Sequence, residues 1–149
     1  TYAFVASEAS NNARPATLYV KDRVLDVPLF FSSHVPEGGI VATARENMCF
    51  LRAFFAGELF DKKHFERMTR QWNGIFFPLQ YGYGLMRFKL PRLLSPFQPV
   101  PGFIGHSGSS GSFAFYSPER QLYLVGTVNQ TSAPNKPYQM MMQLANQVK

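Results

Sequence analysis

The residues whose types and spacing could do chemistry lie together in Gly102-Phe103-Ile104-Gly105-His106-Ser107-Gly108-Ser109-Ser110-Gly111-Ser112. Gly105-His106-Ser107-Gly108-Ser109 falls one letter short of G-x-S-x-G, the turn that exposes a nucleophilic serine, because Ser109 stands where the last glycine belongs. An acid followed by a histidine should come after such a serine, and His106 is the last histidine in the chain. A triad centred on Ser107 is therefore excluded. Nor do Gly105, Gly108 and Gly111 make a phosphate loop, since no Gly-Lys-Ser/Thr closes them. The three histidines stand far apart and Cys49 is alone, so there is no metal-ligand spacing, and no cofactor is expected. The glycines do leave approachable backbone between apolar runs at Phe113–Tyr116 and Leu122–Val128. Glycine in a strand pattern marks a bulge or a close approach by a ligand or another backbone. The stretch is either a wall of a binding site or a Gly/Ser loop without a ligand.

The elements that must position these residues can be read from periodicity and caps. Three strands are expected at Phe103–Ser107, Ser112–Tyr116 and Gln121–Asn129, with Ser117-Pro118-Glu119-Arg120 turning the chain between the last two. In the last strand Leu122, Leu124 and Val128 fall on one face and Tyr123 and Val125 on the other, which places it inside a layered sheet. A terminal helix follows from Asn135 or Lys136, with Pro137 in its first turn and a stripe of Tyr138, Met141, Leu144, Ala145 and Val148. Upstream, Tyr81-Gly82-Tyr83-Gly84-Leu85-Met86-Arg87-Phe88 reads as one strand with glycine interruptions.

Thr43-Ala44-Arg45-Glu46 is a capping box, and Met48, Leu51, Phe54 and Phe55 recur behind it at helical spacing up to a stop at Gly57. Cys49 falls within that apolar pattern and reads as a buried thiol. Asp61 caps a shorter helix to about Thr69, with Phe65 and Met68 inward and His64 at the surface. Four prolines between Pro91 and Pro101 exclude regular structure, and Leu93, Leu94 and Phe97 there either tuck onto the core or form a lip. Residues 1–36 carry weak signals: a short strand within Thr17–Val27, a turn at Ser10–Asn12, and His34 in a polar connection.

The chain has 149 residues, 46% hydrophobic and 15% aromatic, and reads as a single domain, 1–149, with a core. No apolar run approaches the roughly 18 residues of a membrane span, and no basic and apolar leader opens the chain. The net charge is +6, but the basic residues are scattered, with Lys62-Lys63 and Arg87/Lys89 among the few close pairs. No recognition helix, zinc finger or ribonucleoprotein signature accompanies them, so a nucleic-acid partner is not expected.

Three motifs occur in a telling order: Gly38-Gly39-Ile40-Val41-Ala42-Thr43-Ala44-Arg45-Glu46-Asn47-Met48, Tyr81-Gly82-Tyr83-Gly84-Leu85 and His106-Ser107-Gly108. With the closing strand, strand and helix, the chain resembles the carboxy-terminal half of the serine β-lactamase and penicillin-binding-protein superfamily, in its class C-like esterase and D-aminopeptidase branch. The resemblance covers about residues 37–149. It implies an α+β fold, an antiparallel sheet flanked by helices that makes part of a β-lactamase/DD-peptidase-like domain. It also implies a bacterial protein of the periplasm or cytoplasm.

In that superfamily the third active-site motif is Lys or His, then Ser or Thr, then Gly, on a strand beside the nucleophile. By resemblance His106 and Ser107 face the cleft and assist proton transfer or hold a substrate carboxylate. The Ser109 amide becomes one of two oxyanion-hole donors, which act as negative charge develops on the intermediate. Gly108, Tyr81 and Tyr83 become substrate contacts. The family nucleophile, a serine in Ser-x-x-Lys, is absent, since no serine is followed three positions later by lysine. The second motif survives only as letters in Ser10-Asn11-Asn12.

Two functions follow. In one, the chain is part of a serine hydrolase acting on an amide, ester or β-lactam through an acyl-enzyme, inactive alone, with a small-molecule or peptide substrate. In the other it is a non-catalytic binding or structural domain that keeps the sheet. Either way, the absent first half leaves a strand edge open to that half or to self-association.

Overall fold

In a computed structural model of the protein, residues 3–4, 15–26, 38, 40–94 and 100–148 are described. The expected turn at Ser10–Asn12, His34 and Phe97 lie outside these residues, as does the side chain of Leu94. The centre of the molecule is a six-stranded antiparallel meander. Its strands are β5 (Asn73–Phe76), β6 (Leu79–Tyr81), β7 (Met86–Phe88), β8 (Phe103–Ser107), β9 (Ser112–Ser117) and β10 (Leu122–Thr127), each paired to its neighbour in sequence. Two small pairs precede it: β1 (Ala3–Phe4) with β4 (Ile40–Val41), and β2 (Tyr19–Val20) with β3 (Arg23–Val24). The helices are α1 (Ala44–Ala56), α2 (Lys62–Thr69) and α3 (Lys136–Gln147).

Strand alternation divides the sheet into two faces. Leu79, Phe88, Phe103, Phe113, Phe115 and Leu124 form the core with Tyr138, Met141 and Ala145 of α3. The other face meets α1, where Phe55 packs on Tyr116 at 4.8 Å and Tyr116 stacks on Tyr123 at 4.3 Å. Helices on both faces of an antiparallel sheet give the expected α+β architecture.

The helix ends follow their caps. Thr43 Oγ1 accepts from the Glu46 amide at 3.2 Å, and Glu46 Oε2 accepts from the Thr43 amide at 2.8 Å. Gly57 ends α1 in the left-handed region, φ +77°. Asp61 accepts from the Lys63 amide at 3.0 Å to open α2.

Several expectations change. Tyr81–Phe88 is not one strand but runs from the end of β6 through a hairpin turn into β7: Gly84 takes φ +73°, and the Gly82 amide donates to the Leu85 carbonyl at 2.8 Å. Cys49 is exposed, because two residues before buried Leu51 lies roughly 200° round the helix. Leu144 and Val148 are exposed as well, since Leu144 flanks the buried stripe and Val148 lies beyond the last turn. The last strand is shorter than Gln121–Asn129, because Gln121 and Asn129 both take positive φ, 52° and 50°, and turn the chain.

That strand is covered by α1 and α3, which accounts for apolar residues on both its faces. Within the sheet it is nevertheless terminal: among the described residues β10 pairs only with β9. Within the expected Thr17–Val27 strand region, of which Val27 lies outside the described residues, the chain forms the β2–β3 hairpin about Lys21, φ +58°, rather than a single strand. Leu93 is 88% exposed in a short 3-10 turn, Arg92–Leu94.

Candidate functional site

His106 and Ser107 are consecutive on β8, so their side chains leave the strand on opposite sides. Ser107 turns toward α3. Its Oγ lies 2.6 Å from the Tyr138 hydroxyl, and Met86 Sδ accepts from Ser107 at 3.4 Å and from Tyr138 at 3.7 Å. Two hydroxyls carry two protons, so one proton lies between the oxygens and the other points at sulfur. Burial pushes the Tyr138 phenol above its ordinary pKa of 10.0, opposed by the Ser107 bond. The pair is thus neutral and mutually engaged, with no base bonded to Ser107 Oγ among the described residues.

His106 meets Tyr81, at the end of β6. The Tyr81 hydroxyl is 3.1 Å from His106 Nε2, and the rings meet edge to face with centroids 5.6 Å apart. The other ring nitrogen, Nδ1, is 2.8 Å from the Ser107 carbonyl, which can only accept. Neutral His106 therefore carries its proton on Nδ1, and Nε2 accepts from Tyr81. Partial burial of the ring lowers the His106 pKa below 6.5, and the bond to the Ser107 carbonyl opposes this. The residue keeps an exposed edge, so water can still reach the imidazole.

Gly108 to Gly111 close a tight turn between β8 and β9. The Gly108 amide donates to the Ser112 carbonyl at 2.9 Å and the Gly111 amide to the Gly108 carbonyl at 3.0 Å. Gly111 has φ +81°, and a Cβ there would fall 2.5 Å from Val128 Cγ2, so the turn requires glycine. The Ser109 amide has no acceptor among the described residues. Ser107, Gly108 and Ser109 line a cleft of about 400 Å³, whose apolar wall includes Phe76, Met86 and Tyr138.

The residues singled out from sequence thus fall into three places. Ser107, Gly108 and Ser109 share the apolar cleft; His106 and Tyr81 form a bonded pair; Tyr83 lines a different cleft, with Arg67, Arg70 and Gln71. Tyr138 and Met86 were missed as polar partners of Ser107. Tyr138 lies 31 residues away in an apolar stripe, so no local pattern could reveal it. No group of three His, Cys, Asp or Glu side chains converges among the described residues. Nor is any helix of these residues long and apolar enough to cross a membrane.

Comparisons with known proteins agree with this architecture. The family model described as Beta-lactamase matches residues 2–145. A crystal structure of D-amino acid amidase from Ochrobactrum anthropi SV3, complexed with D-phenylalanine, superposes with a TM-score of 0.57 at 22% identity. The match covers 76% of this chain and 39% of the amidase, so the chain spans about two fifths of that structure's length. No curated protein matches. With the family model covering nearly the whole sequence, the chain belongs to the family described as Beta-lactamase.

Proposed function

We propose that the chain forms the carboxy-terminal part of a serine hydrolase domain. In this reading it supplies the third motif of an acyl-enzyme site, while Ser-x-x-Lys lies outside these 149 residues. The observation that carries the proposal is the Tyr81–His106 hydrogen bond of 3.1 Å, which joins two of the family motifs across 25 residues. A neutral imidazole held in this tautomer can take the Tyr81 hydroxyl proton at Nε2 while that hydroxyl oxygen accepts one from a reacting group, and the reverse transfer returns it, which is what acylation and deacylation require. The Ser109 amide, with no acceptor among the described residues, is suited to an oxyanion. Gly108 and Tyr83 complete the proposed substrate contacts. The substrate is an amide, ester or β-lactam, and the amidase complex makes a D-amino acid amide the first to test.

The chain alone is expected to turn over neither D-phenylalaninamide, a p-nitrophenyl ester nor a chromogenic cephalosporin. Turnover abolished by Ser107→Ala would place the nucleophile at Ser107 and overturn this reading. In a polypeptide that also carries the first two motifs, His106→Ala lowers acylation. There Ser109→Pro, which removes the amide proton, costs roughly 100- to 1,000-fold in rate, while Ser109→Ala is tolerated.

The side of β10 that pairs with no described strand fits the same proposal. An apolar strand with an unpaired row of backbone groups recruits another strand. The expected partner is the amino-terminal half of the domain or a second copy of this chain. Size-exclusion chromatography with hydrogen exchange tests it: a monomer in which all Leu122–Val128 amides exchange slowly would rule this pairing out.

A further inference from the structure

The cleft of about 720 Å³ lined by Arg67, Arg70, Gln71 and Tyr83 shares only Tyr83 with the proposed substrate contacts, and its two arginines have no part in the proposed acyl transfer. Arg67 and Arg70 stand three apart at the end of α2, close enough for both guanidinium groups to reach one ligand. Neither side chain has a hydrogen bond or ion pair among the described residues. Arg87, by contrast, sits with its guanidinium 4.5 Å from the Trp72 ring centre and donates to Gln80 at 2.8 Å, so it is already engaged.

The opposite wall is fixed by backbone. The Tyr83 amide donates to the Met68 carbonyl at 3.1 Å, which docks the β6–β7 turn on the end of α2. The approach is close enough to require glycine at 82, where a Cβ would lie 2.5 Å from the Met68 carbonyl oxygen. Tyr83 is thereby held at the cleft with 66% of its surface open.

We infer that this cleft binds the oxyanion of a small ligand, a carboxylate or a phosphate. Both guanidinium forks offer paired N–H donors that match such groups, and the Gln71 amide and Tyr83 hydroxyl add neutral hydrogen bonds. Both sides of the site are built before a ligand arrives: a helix end carries the arginines, and a bonded turn carries the tyrosine. The site does not depend on the role given to His106. It does lie near that residue's partner, because Tyr81 and Tyr83 are two residues apart, a span of at most about 7 Å of chain.

Trp72 is the protein's single tryptophan and follows Gln71 directly, so its fluorescence reports on the cleft. Titrating the chain with succinate and with inorganic phosphate, followed by Trp72 fluorescence and calorimetry, should give saturable binding. The tighter of the two identifies the oxyanion. Arg67→Gln and Arg70→Gln should each weaken it about 10-fold, the loss of a charge-assisted hydrogen-bond pair. Arg67→Lys, which keeps the charge but not the fork, should also weaken it. Lys62→Gln with Lys63→Gln, at the other end of α2, should change it less than about twofold, and so should His106→Ala. No saturable binding of either anion would overturn the inference. So would equal losses from the lysine and arginine variants, which would reduce the effect to net charge.

Discussion

The two halves of the sheet differ in construction. Strands β8, β9 and β10 have five, six and six residues, and β9 alternates strictly between buried and half-buried positions. Strands β5, β6 and β7 have four, three and three residues, and every residue of β5 is exposed. Phe103 and Phe115 are wholly buried in the long half, whereas Ile75, Phe76 and Phe77 in the short half are 48%, 47% and 66% exposed. His106 and Ser107 belong to the long half, while Tyr81 and Met86, which bond to them, belong to the short one. The candidate site therefore straddles a seam. A well-packed strand fixes the backbone, and a thinly supported hairpin brings the partner hydroxyl and sulfur.

The sharpest way to break this comparison is to truncate one aromatic in each half. Phe115→Ala should cost about 3–5 kcal/mol in chemical denaturation, since a buried ring leaves a cavity. Phe77→Ala should stay within about 0.5 kcal/mol. Equal losses would mean that the short half carries as much of the fold as the long one. Across the seam, Tyr138→Phe removes the Ser107 partner and should cost about 1 kcal/mol while α3 stays docked, as judged by unchanged near-ultraviolet dichroism.

Within the long half, Ser117 Oγ is buried with no hydrogen-bond partner among the described residues. Ser117→Ala should therefore raise stability by about 1 kcal/mol, and a measured loss would indicate a partner for the hydroxyl.

The smallest expected effect concerns pH. His106 has its folded-state pKa lowered by partial burial, so its contribution to stability is present above the unfolded value of 6.5 and is lost as pH falls through the lower folded value. The wild-type melting temperature should drop over that acid range, and His106→Gln should flatten that part of the profile. An unchanged slope would show that the ring is equally hydrated in both states.

The helices were legible because their signals are local. Thr43 with Glu46, Gly57 and Asp61 each act within a few residues, and each takes the geometry its type favours. The three long strands were legible from runs of apolar residues between turn formers. The β6–β7 hairpin was not, because Gly82 and Gly84 can interrupt a strand or reverse it, and the choice was made by docking on the Met68 carbonyl. The pairing of Ser107 with Tyr138 and the meeting of Arg67, Arg70 and Tyr83 depend on how separate elements pack. Neither leaves a mark in a local window. The antiparallel, helix-flanked sheet followed from the family motifs, while the exposure of Cys49 depended on rotation about a helix whose apolar stripe is narrow.

The clasp at the open end of the sheet has a consequence for the order of folding. The Tyr19 amide donates to the Asn129 carbonyl, the Lys21 amide to Gln130 Oε1, and Gln130 Nε2 returns a bond to the Lys21 carbonyl, closing a loop of 109 residues. The meander needs only neighbours in sequence, so its pairs incur small closure entropies and can zip from one hairpin to the next. The clasp must wait until both of its distant ends are held. We expect its amides to gain protection last in pulse-labelled refolding, after those of Phe113–Ser117. The β2–β3 hairpin would then be a latch on an assembled sheet, and protection of Tyr19 and Lys21 as early as β9 would show instead that it is part of the nucleus.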